Sequence, residues 1–176
     1  IYKCWYSPFI VDDLARQTPA EQRAQVRYRG MPTREMGVCY AVSRDGIQGE
    51  KPELGIIEFN GSKANNLVMR ATHGAGIFKD EREKDPARRY KMCGGQQIPG
   101  RPRTFQVAFS PDGIHWAPPL LCPEVAVEGD THNNAFWSPE LKQYVGITRL
   151  FAGQRVVVTM SSEAFDTYLE LFSENA

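Results

Sequence analysis

Ser-Pro-Asp-Gly-Ile at residues 110–114 repeats Ser-Arg-Asp-Gly-Ile at residues 43–47, and each segment directly follows an alternating, strand-like run. A degraded third copy covers Ser162–Tyr168 and follows the strand-like run Arg155–Met160. It keeps a serine and an aromatic residue at the same offset that separates Ser110 from Trp116. Three similar units in one chain indicate a repeat architecture rather than a single irregular domain.

The repeated segment has the composition of a turn between two strands. Its Asp-Gly pair can supply the positive backbone dihedrals that a tight β-turn needs. Its Ser and Asp side chains can bond to backbone amides across the turn. The aromatic residue that follows, Trp116 in the middle copy, is expected to pack between neighbouring sheets. The segment therefore predicts a hairpin turn.

Further strand-like segments precede the turns in a constant order. Before the middle turn they are His73–Phe78, Arg89–Cys93 and Phe105–Phe109, with a fourth strand predicted to begin near His115 and Trp116. Before the third copy they are His132–Trp137, Gln143–Thr148 and Arg155–Met160. Each unit thus has four predicted strands, A to D, joined by turns rich in Gly, Pro and Asp. The pattern predicts an all-β protein, a β-propeller of four-stranded blades.

The first unit departs from this pattern. Tyr2–Ser7 matches Tyr90–Cys93, so we expect the chain to open on strand B of a blade. An Arg-rich insertion, residues 8–35, then precedes the strand Met36–Val42. The predicted divisions are a blade remnant at 1–60, a blade at 71–125 and a blade at 130–176. Because propellers close with about 4 to 8 blades, we expect a partial propeller whose remaining blades lie in the same longer chain.

Composition excludes some function classes. The 21 basic and 21 acidic residues cancel, which removes a global electrostatic argument for binding nucleic acid or an anionic membrane. No apolar run approaches the roughly 18 residues of a membrane span. The four cysteines, Cys4, Cys39, Cys93 and Cys122, lack metal-type spacing and are interpreted as small buried thiols rather than a disulfide pair. The sequence predicts neither a metal site nor a cofactor.

Polar residues collect where the inner strands are predicted to begin. The first strand of each propeller blade lines the central channel, and aligning the two A strands pairs Thr72-His73 with Thr131-His132. Asp130–Asn134, Asp-Thr-His-Asn-Asn, is an uninterrupted run of five polar residues at such a strand start. An acid, an imidazole and two amides at a channel mouth could transfer a proton and hold sugar hydroxyls. The alternative is that these residues only turn the chain and bond to backbone.

The ends of the B strands are predicted to share that end of the channel. Arg149 could clamp a carboxylate or a sugar hydroxyl, or lower the pKa of Asp130; the alternative is a solvated surface arginine. The loop Gly94–Arg103 takes the matching position one blade earlier, and its glycines suit a binding rim. Asp80 falls instead in the predicted A to B turn, at the far end, and is interpreted as structural. The same interpretation applies to Glu81, Glu83 and His115.

These motifs carry a resemblance to a known group of proteins. The residues concerned are Arg89–Met92, Ser110–Trp116, Asp130–Asn133, Phe136–Trp137 and Tyr144–Arg149. They resemble five-bladed propeller proteins related to glycoside hydrolase families 32 and 43, and in particular a bacterial glycosyl-hydrolase-like group. The resemblance implies five blades and the cleavage of furanosides, fructosides or arabinosides by acidic residues on inner strands.

Only Asp130 stands at such an inner-strand start in this sequence. The preceding blade offers Thr72-His73-Gly74 without a carboxylate, so a second acid would have to come from other blades. One hypothesis is a glycosidase-type domain acting on a carbohydrate ligand. Its catalytic candidates are Asp130 and His132, and its substrate contacts are His73, Asn133, Asn134 and Arg149. The alternative is a non-catalytic propeller that binds carbohydrate or protein.

Overall fold

The computed structural model describes residues 1–25, 34–96, 103–123, 125, 130–149 and 167–168. These residues form mostly antiparallel β-structure, with one short α-helix, α1 (Asp13–Gln17), and two 3-10 helices, Ala20–Gln25 and Pro86–Arg88. The strands are β1 (Tyr2–Tyr6), β2 (Phe9–Val11), β3 (Glu35–Met36), β4 (Val38–Ser43), β5 (Gly49–Glu50), β6 (Leu67–Met69), β7 (Thr72–Lys79), β8 (Tyr90–Gln96), β9 (Thr104–Ser110), β10 (Leu120–Leu121), β11 (Asn134–Ser138), β12 (Gln143–Ile147) and β13 (Thr167–Tyr168). The predicted all-β class is confirmed.

The chain divides into two compact units, one built from Ile1–Thr72 and one from His73–Gln96 with the described residues from 103 onward. In the first unit, β1 pairs antiparallel with β4, from Tyr2 opposite Ser43 to Tyr6 opposite Cys39. The strands β5 and β6 both pair with the other edge of β4. The predicted strands B and C are therefore neighbours. The insertion between them contributes α1 and the small β2–β3 sheet.

The second unit contains a four-stranded sheet in the order β10-β9-β8-β7. Its central pair, β8 and β9, runs antiparallel from Tyr90 opposite Ser110 to Gln96 opposite Thr104. This is the predicted A to D order for residues 71–125. The core of the unit is built around Cys93, Val107 and Phe109, with Tyr144 packed against it.

A second sheet in this unit begins with β11 and β12, which pair antiparallel from Asn134 opposite Ile147 to Ser138 opposite Gln143. These are the predicted strands A and B. The neighbour of β12 is β13, which runs parallel to it. The predicted strand C, Arg155–Met160, lies outside the described residues, as does most of the third turn.

The two complete turns make the same hydrogen bonds. In the middle copy the Ser110 hydroxyl accepts from the Gly113 amide at 2.8 Å, and Asp112 Oδ1 accepts from the Ile114 and His115 amides at 2.8 Å each. The first copy repeats every one of these bonds with Ser43 and Asp45. The predicted bonding of the Ser and Asp side chains to backbone amides is therefore confirmed.

Two details of the turn prediction are wrong. Only the glycine has a positive φ, +82° at Gly113, so the turn depends on the Asp side chain rather than on two left-handed residues. Strand D also begins later than predicted, at Leu120 instead of near His115 and Trp116. Asp112 holds the His115 amide inside the turn, and Trp116 Nε1 donates to the Gly113 carbonyl at 3.1 Å, so neither residue joins the sheet.

The cysteines are free thiols in the structure, as expected. Cys39 and Cys93 are buried, whereas Cys4 is exposed and Cys122 is partly exposed, so burial was predicted correctly for two of the four. Burial raises the pKa of Cys93 to about 12, which keeps it an unreactive core thiol. No helix in the described ranges is long and apolar enough to span a membrane.

Candidate functional site

Asp130 lies at the centre of a polar cluster in the second unit. Its side chain is 9% exposed, and three side chains bind its two carboxylate oxygens. His73 Nε2 lies 3.2 Å and Arg103 Nη1 3.0 Å from Oδ1, while Arg149 Nη2 donates to Oδ2. An ionised carboxylate can only accept hydrogen bonds, so His73 carries its proton on Nε2 in this pair. We call these four side chains the Asp130 cluster.

The cluster forms where strands of the two sheets begin or end. His73 is the second residue of β7, Arg103 directly precedes β9, and Arg149 follows the end of β12. Asp130 precedes the segment that leads into β11. The structure therefore brings together Asp130, His73 and Arg149, which the alignment of strands selected, and adds Arg103.

Two glycines of β7 allow its backbone to lie against residues 130–134. A Cβ on Gly76 would overlap the Asn133 carbonyl oxygen and stand 2.8 Å from Asn134 Cα, and a Cβ on Gly74 would stand 2.7 Å from the Asp130 carbonyl oxygen. Gly74 also has a left-handed φ of +58°. Only glycine fits such an approach without displacing backbone. The arrangement of the cluster therefore requires glycine at positions 74 and 76, where a side chain would collide with residues 130–134.

The electrostatics of the cluster keep Asp130 ionised. Burial acts to raise the pKa of Asp130, but the hydrogen bonds from Arg149 and Arg103 outweigh burial and lower the pKa to about 2. Burial lowers the pKa of His73, and Arg103 adds to this effect against the attraction of Asp130. Near neutral pH the cluster therefore holds one carboxylate, two guanidiniums and a neutral imidazole.

The ionisation of Asp130 near neutral pH limits the chemistry that its carboxylate can perform. A general acid must hold a proton at the working pH, and the arginines oppose protonation of Asp130. Both of its oxygens are also occupied by protein donors. The acid/base role stays a prediction, while the geometry favours a buried anion that fixes two guanidiniums.

Asn133, predicted to contact substrate, is committed to protein partners. It is 1% exposed, and its Nδ2 donates to the Gly74 carbonyl at 2.8 Å and to the Asp130 carbonyl. Its Oδ1 accepts from the Thr148 hydroxyl at 2.6 Å. Asn133 therefore ties β7 to the end of β12 and supports the Asp130 cluster from behind.

His132 and Asn134 stand apart from the cluster. Both are exposed, and neither side chain hydrogen-bonds to Asp130, His73 or the two arginines. His132 has a left-handed φ of 65°, which turns the chain between Thr131 and Asn133. The catalytic role of His132 and the substrate contact of Asn134 stay predictions, without support from this arrangement.

Arg103 is the member of the cluster that sequence reasoning missed. The signal was present, because the loop Gly94–Arg103 was expected at the same end as Arg149. Two arginines, Arg101 and Arg103, occur in that loop, however, and spacing alone does not say which one reaches a carboxylate. Residues 97–102 of the loop lie outside the described ranges.

Asp80 belongs to a second polar group, which is structural. It lies in the turn between β7 and β8, as predicted, and is 3% exposed. Lys91 Nζ lies 2.8 Å from Asp80 and 2.7 Å from Glu83, and the Tyr144 hydroxyl donates to Asp80. Burial acts to raise the pKa of Asp80, but Lys91 and Tyr144 outweigh it and lower the pKa. These mutually satisfied contacts hold the turn against the core.

Glu81 and His115, which the sequence also predicted to be structural, are largely exposed. Glu81 pairs with Lys79, and His115 pairs with Asp112.

Within the described part of the chain, no group of three or more His, Cys, Asp or Glu side chains could hold a metal ion.

No protein-family model, curated protein or solved structure matches the chain. The resemblance to glycosidase-related propellers therefore stays a prediction. A function has to be inferred from the Asp130 cluster itself, whose distinctive property is a buried carboxylate that orients partly exposed arginines.

Proposed function

We propose that the second unit is part of a glycosidase-related β-propeller and binds carbohydrate at the Asp130 cluster, with Asp130 as an anchor for the arginines rather than as the acid/base. The alternative considered from sequence, a non-catalytic binding propeller, thus becomes the preferred function. Two lines of support come from the sheets and from the exposed guanidiniums.

The first line of support is the order of strands. The sheet β7 to β10 is a four-stranded antiparallel meander, which is the construction of a propeller blade. The next two strands, β11 and β12, repeat its first hairpin. In a propeller, His73 and Asp130 would both stand at the starts of inner strands, where ligands reach the central channel.

The second line of support, which carries the proposal, is the way Asp130 presents the two arginines. Arg103 and Arg149 each use one nitrogen on Asp130, whereas a guanidinium has five N–H donors. The Arg149 side chain is 54% exposed and the Arg103 side chain 24% exposed. Their orientation is fixed by a buried partner, so less conformational entropy is lost when a ligand binds. Such donors suit the closely spaced hydroxyls of a sugar.

Binding to an oligosaccharide panel tests this function. Arabino-, fructo- and xylo-oligosaccharides and their uronate counterparts would be titrated calorimetrically into the chain, with release of reducing ends measured in parallel. We expect binding of at least one sugar without turnover, and about a tenfold loss of affinity in Arg103→Ala or Arg149→Ala.

The matched control is Arg70→Ala in the other unit, because Arg70 is also a half-exposed arginine paired with one carboxylate, Glu35. This variant should bind like the wild type. The proposal fails if no sugar binds. It also fails if the chain releases reducing ends and a folded Asp130→Asn variant loses that activity, since Asp130 would then be the acid/base.

A further inference from the structure

The Asp130 cluster carries an excess of positive charge. Among its described side chains, two guanidiniums face one carboxylate, and the imidazole of His73 is uncharged near neutral pH because burial and Arg103 lower its pKa. The other polar side chains beside it, those of Asn133 and Thr148, are neutral. One positive charge is therefore left without an internal partner in this group.

The two signs of charge are also separated by depth. The carboxylate of Asp130 is nearly buried, whereas more than half of the Arg149 side chain is exposed. A ligand that approaches from solvent would meet N–H donors and positive charge before it met the carboxylate. A guanidinium binds a carboxylate through two parallel hydrogen bonds, a geometry that a single hydroxyl cannot match.

We propose that the cluster selects acidic sugars, in which a uronate carboxylate binds Arg149 and Arg103 while neighbouring hydroxyls complete the contact. This inference rests on the proposed carbohydrate-binding function and narrows its ligand class. A neutral sugar could accept hydrogen bonds from the same donors but would leave the excess positive charge uncompensated.

Acid and ester forms of one sugar isolate the contribution of charge. Oligomers of galacturonate, glucuronate and mannuronate, and the methyl ester of each, would be titrated into the chain at constant ionic strength. We expect at least one acid to bind about tenfold or more tightly than its own ester. Acetate at the same concentration is the control for a free anion and should not compete.

Variants of Arg149 assign the selectivity to the cluster. Arg149→Gln should reduce the acid-over-ester preference to about one, while Arg149→Lys should keep part of it, since the charge remains but the paired donors do not. Arg70→Gln in the other unit is the matched control and should retain the full preference. Thermal melts of each variant verify that the fold is kept.

The possible outcomes separate the two proposals. Equal binding of acids and esters, or binding of neutral sugars alone, overturns the selectivity and leaves carbohydrate binding intact. Full competition by acetate overturns it as well, because the site would then be a simple anion site. Absence of binding by every sugar overturns both the selectivity and the proposed function.

Discussion

Asp130 is a buried charge of the second unit, and His73, Arg103 and Arg149 are arranged around it. Taking a carboxylate out of water costs several kcal/mol, and the cost is offset only when opposite charges and hydrogen bonds replace the water. Arg149, Arg103 and His73 do this on its two oxygens. The same contacts that make Asp130 tolerable in the interior oppose its protonation.

Replacing this carboxylate should weaken the fold measurably. We expect Asp130→Asn to lower the free energy of unfolding at pH 7 by about 1–3 kcal/mol, because two arginines lose their buried partner. The folded pKa of Asp130, about 2, lies below its ordinary value of 3.8. The wild-type advantage should therefore be complete above about pH 4 and vanish as the pH falls towards 2.

Urea denaturation of both proteins across this pH range measures the difference. Glu53→Gln, which neutralises an exposed carboxylate, is the control and should change the free energy of unfolding by less than about 0.5 kcal/mol. An Asp130→Asn variant as stable as the wild type at pH 7 would contradict the anchoring role.

His73 gives a second pH dependence. The fold favours the charged form of Asp130, whereas it disfavours the charged form of His73. Its pKa is lowered in the fold, first by burial and then by Arg103, so the unfolded chain binds a proton more readily. Stability should fall as the pH drops below the ordinary imidazole value of 6.5 towards the folded value. We expect the wild type to lose more free energy of unfolding between pH 7.5 and 5 than His73→Gln does. Equal losses in the two proteins would show that His73 is solvated, and a smaller loss in the wild type would show that His73 is paired as a cation.

The sequence identifies part of this cluster and misses the rest for a physical reason. His73 and Asp130 follow from aligning strand starts, since the first strands of neighbouring blades were expected to begin at the same end of a central channel. Arg103 does not follow, because a long arginine side chain can reach many positions and its partner depends on the path of the loop. Asn133 was predicted to contact substrate because the sequence does not show whether an asparagine is exposed or, as here, buried with its amide bonded to protein groups.

At the scale of elements, β7 and the segment leading into β11 are held at unusually close range. The closest points are the glycines of β7, where even one added carbon meets backbone atoms. The Ser-x-Asp-Gly turns, by contrast, were predictable in their bonding because every atom involved lies within a few residues. The late start of β10 was not, since it depends on how far Asp112 extends the turn.

A single added methyl group tests the close approach. Gly76→Ala should lower the free energy of unfolding by about 3 kcal/mol or more, because its Cβ would overlap the Asn133 carbonyl oxygen, a backbone atom that cannot move aside as a side chain can. Gly49→Ala is the matched control, since Gly49 is also a strand glycine but has no atom within 4 Å of the added carbon. Chemical denaturation measures the free energy of unfolding of both variants. An equal loss in Gly76→Ala and Gly49→Ala would contradict the packing of β7 on residues 133–134.

At the scale of the whole molecule, the equal numbers of acidic and basic residues conceal a local imbalance among the described side chains of the Asp130 cluster. A net charge of zero excluded a global attraction to polyanions, and that argument stands. It could not reveal that one carboxylate is buried beneath two arginines, because burial and pairing are properties of the fold. The all-β class was predictable from strand periodicity and turns, whereas the charge of one site required the side chains in place.

The central claim, that Asp130 is an anchor that stays ionised above about pH 4 and not a catalytic acid, is tested most directly by titrating its carboxyl carbon. The ¹³C signal would be followed by NMR from pH 7 to pH 1.5 and assigned by its absence in Asp130→Asn. We predict a midpoint of about 2, with the signal unchanged between pH 7 and 4. A midpoint near 5 to 7, about where glycosidase acids titrate, would contradict the anchoring role and favour proton transfer by Asp130.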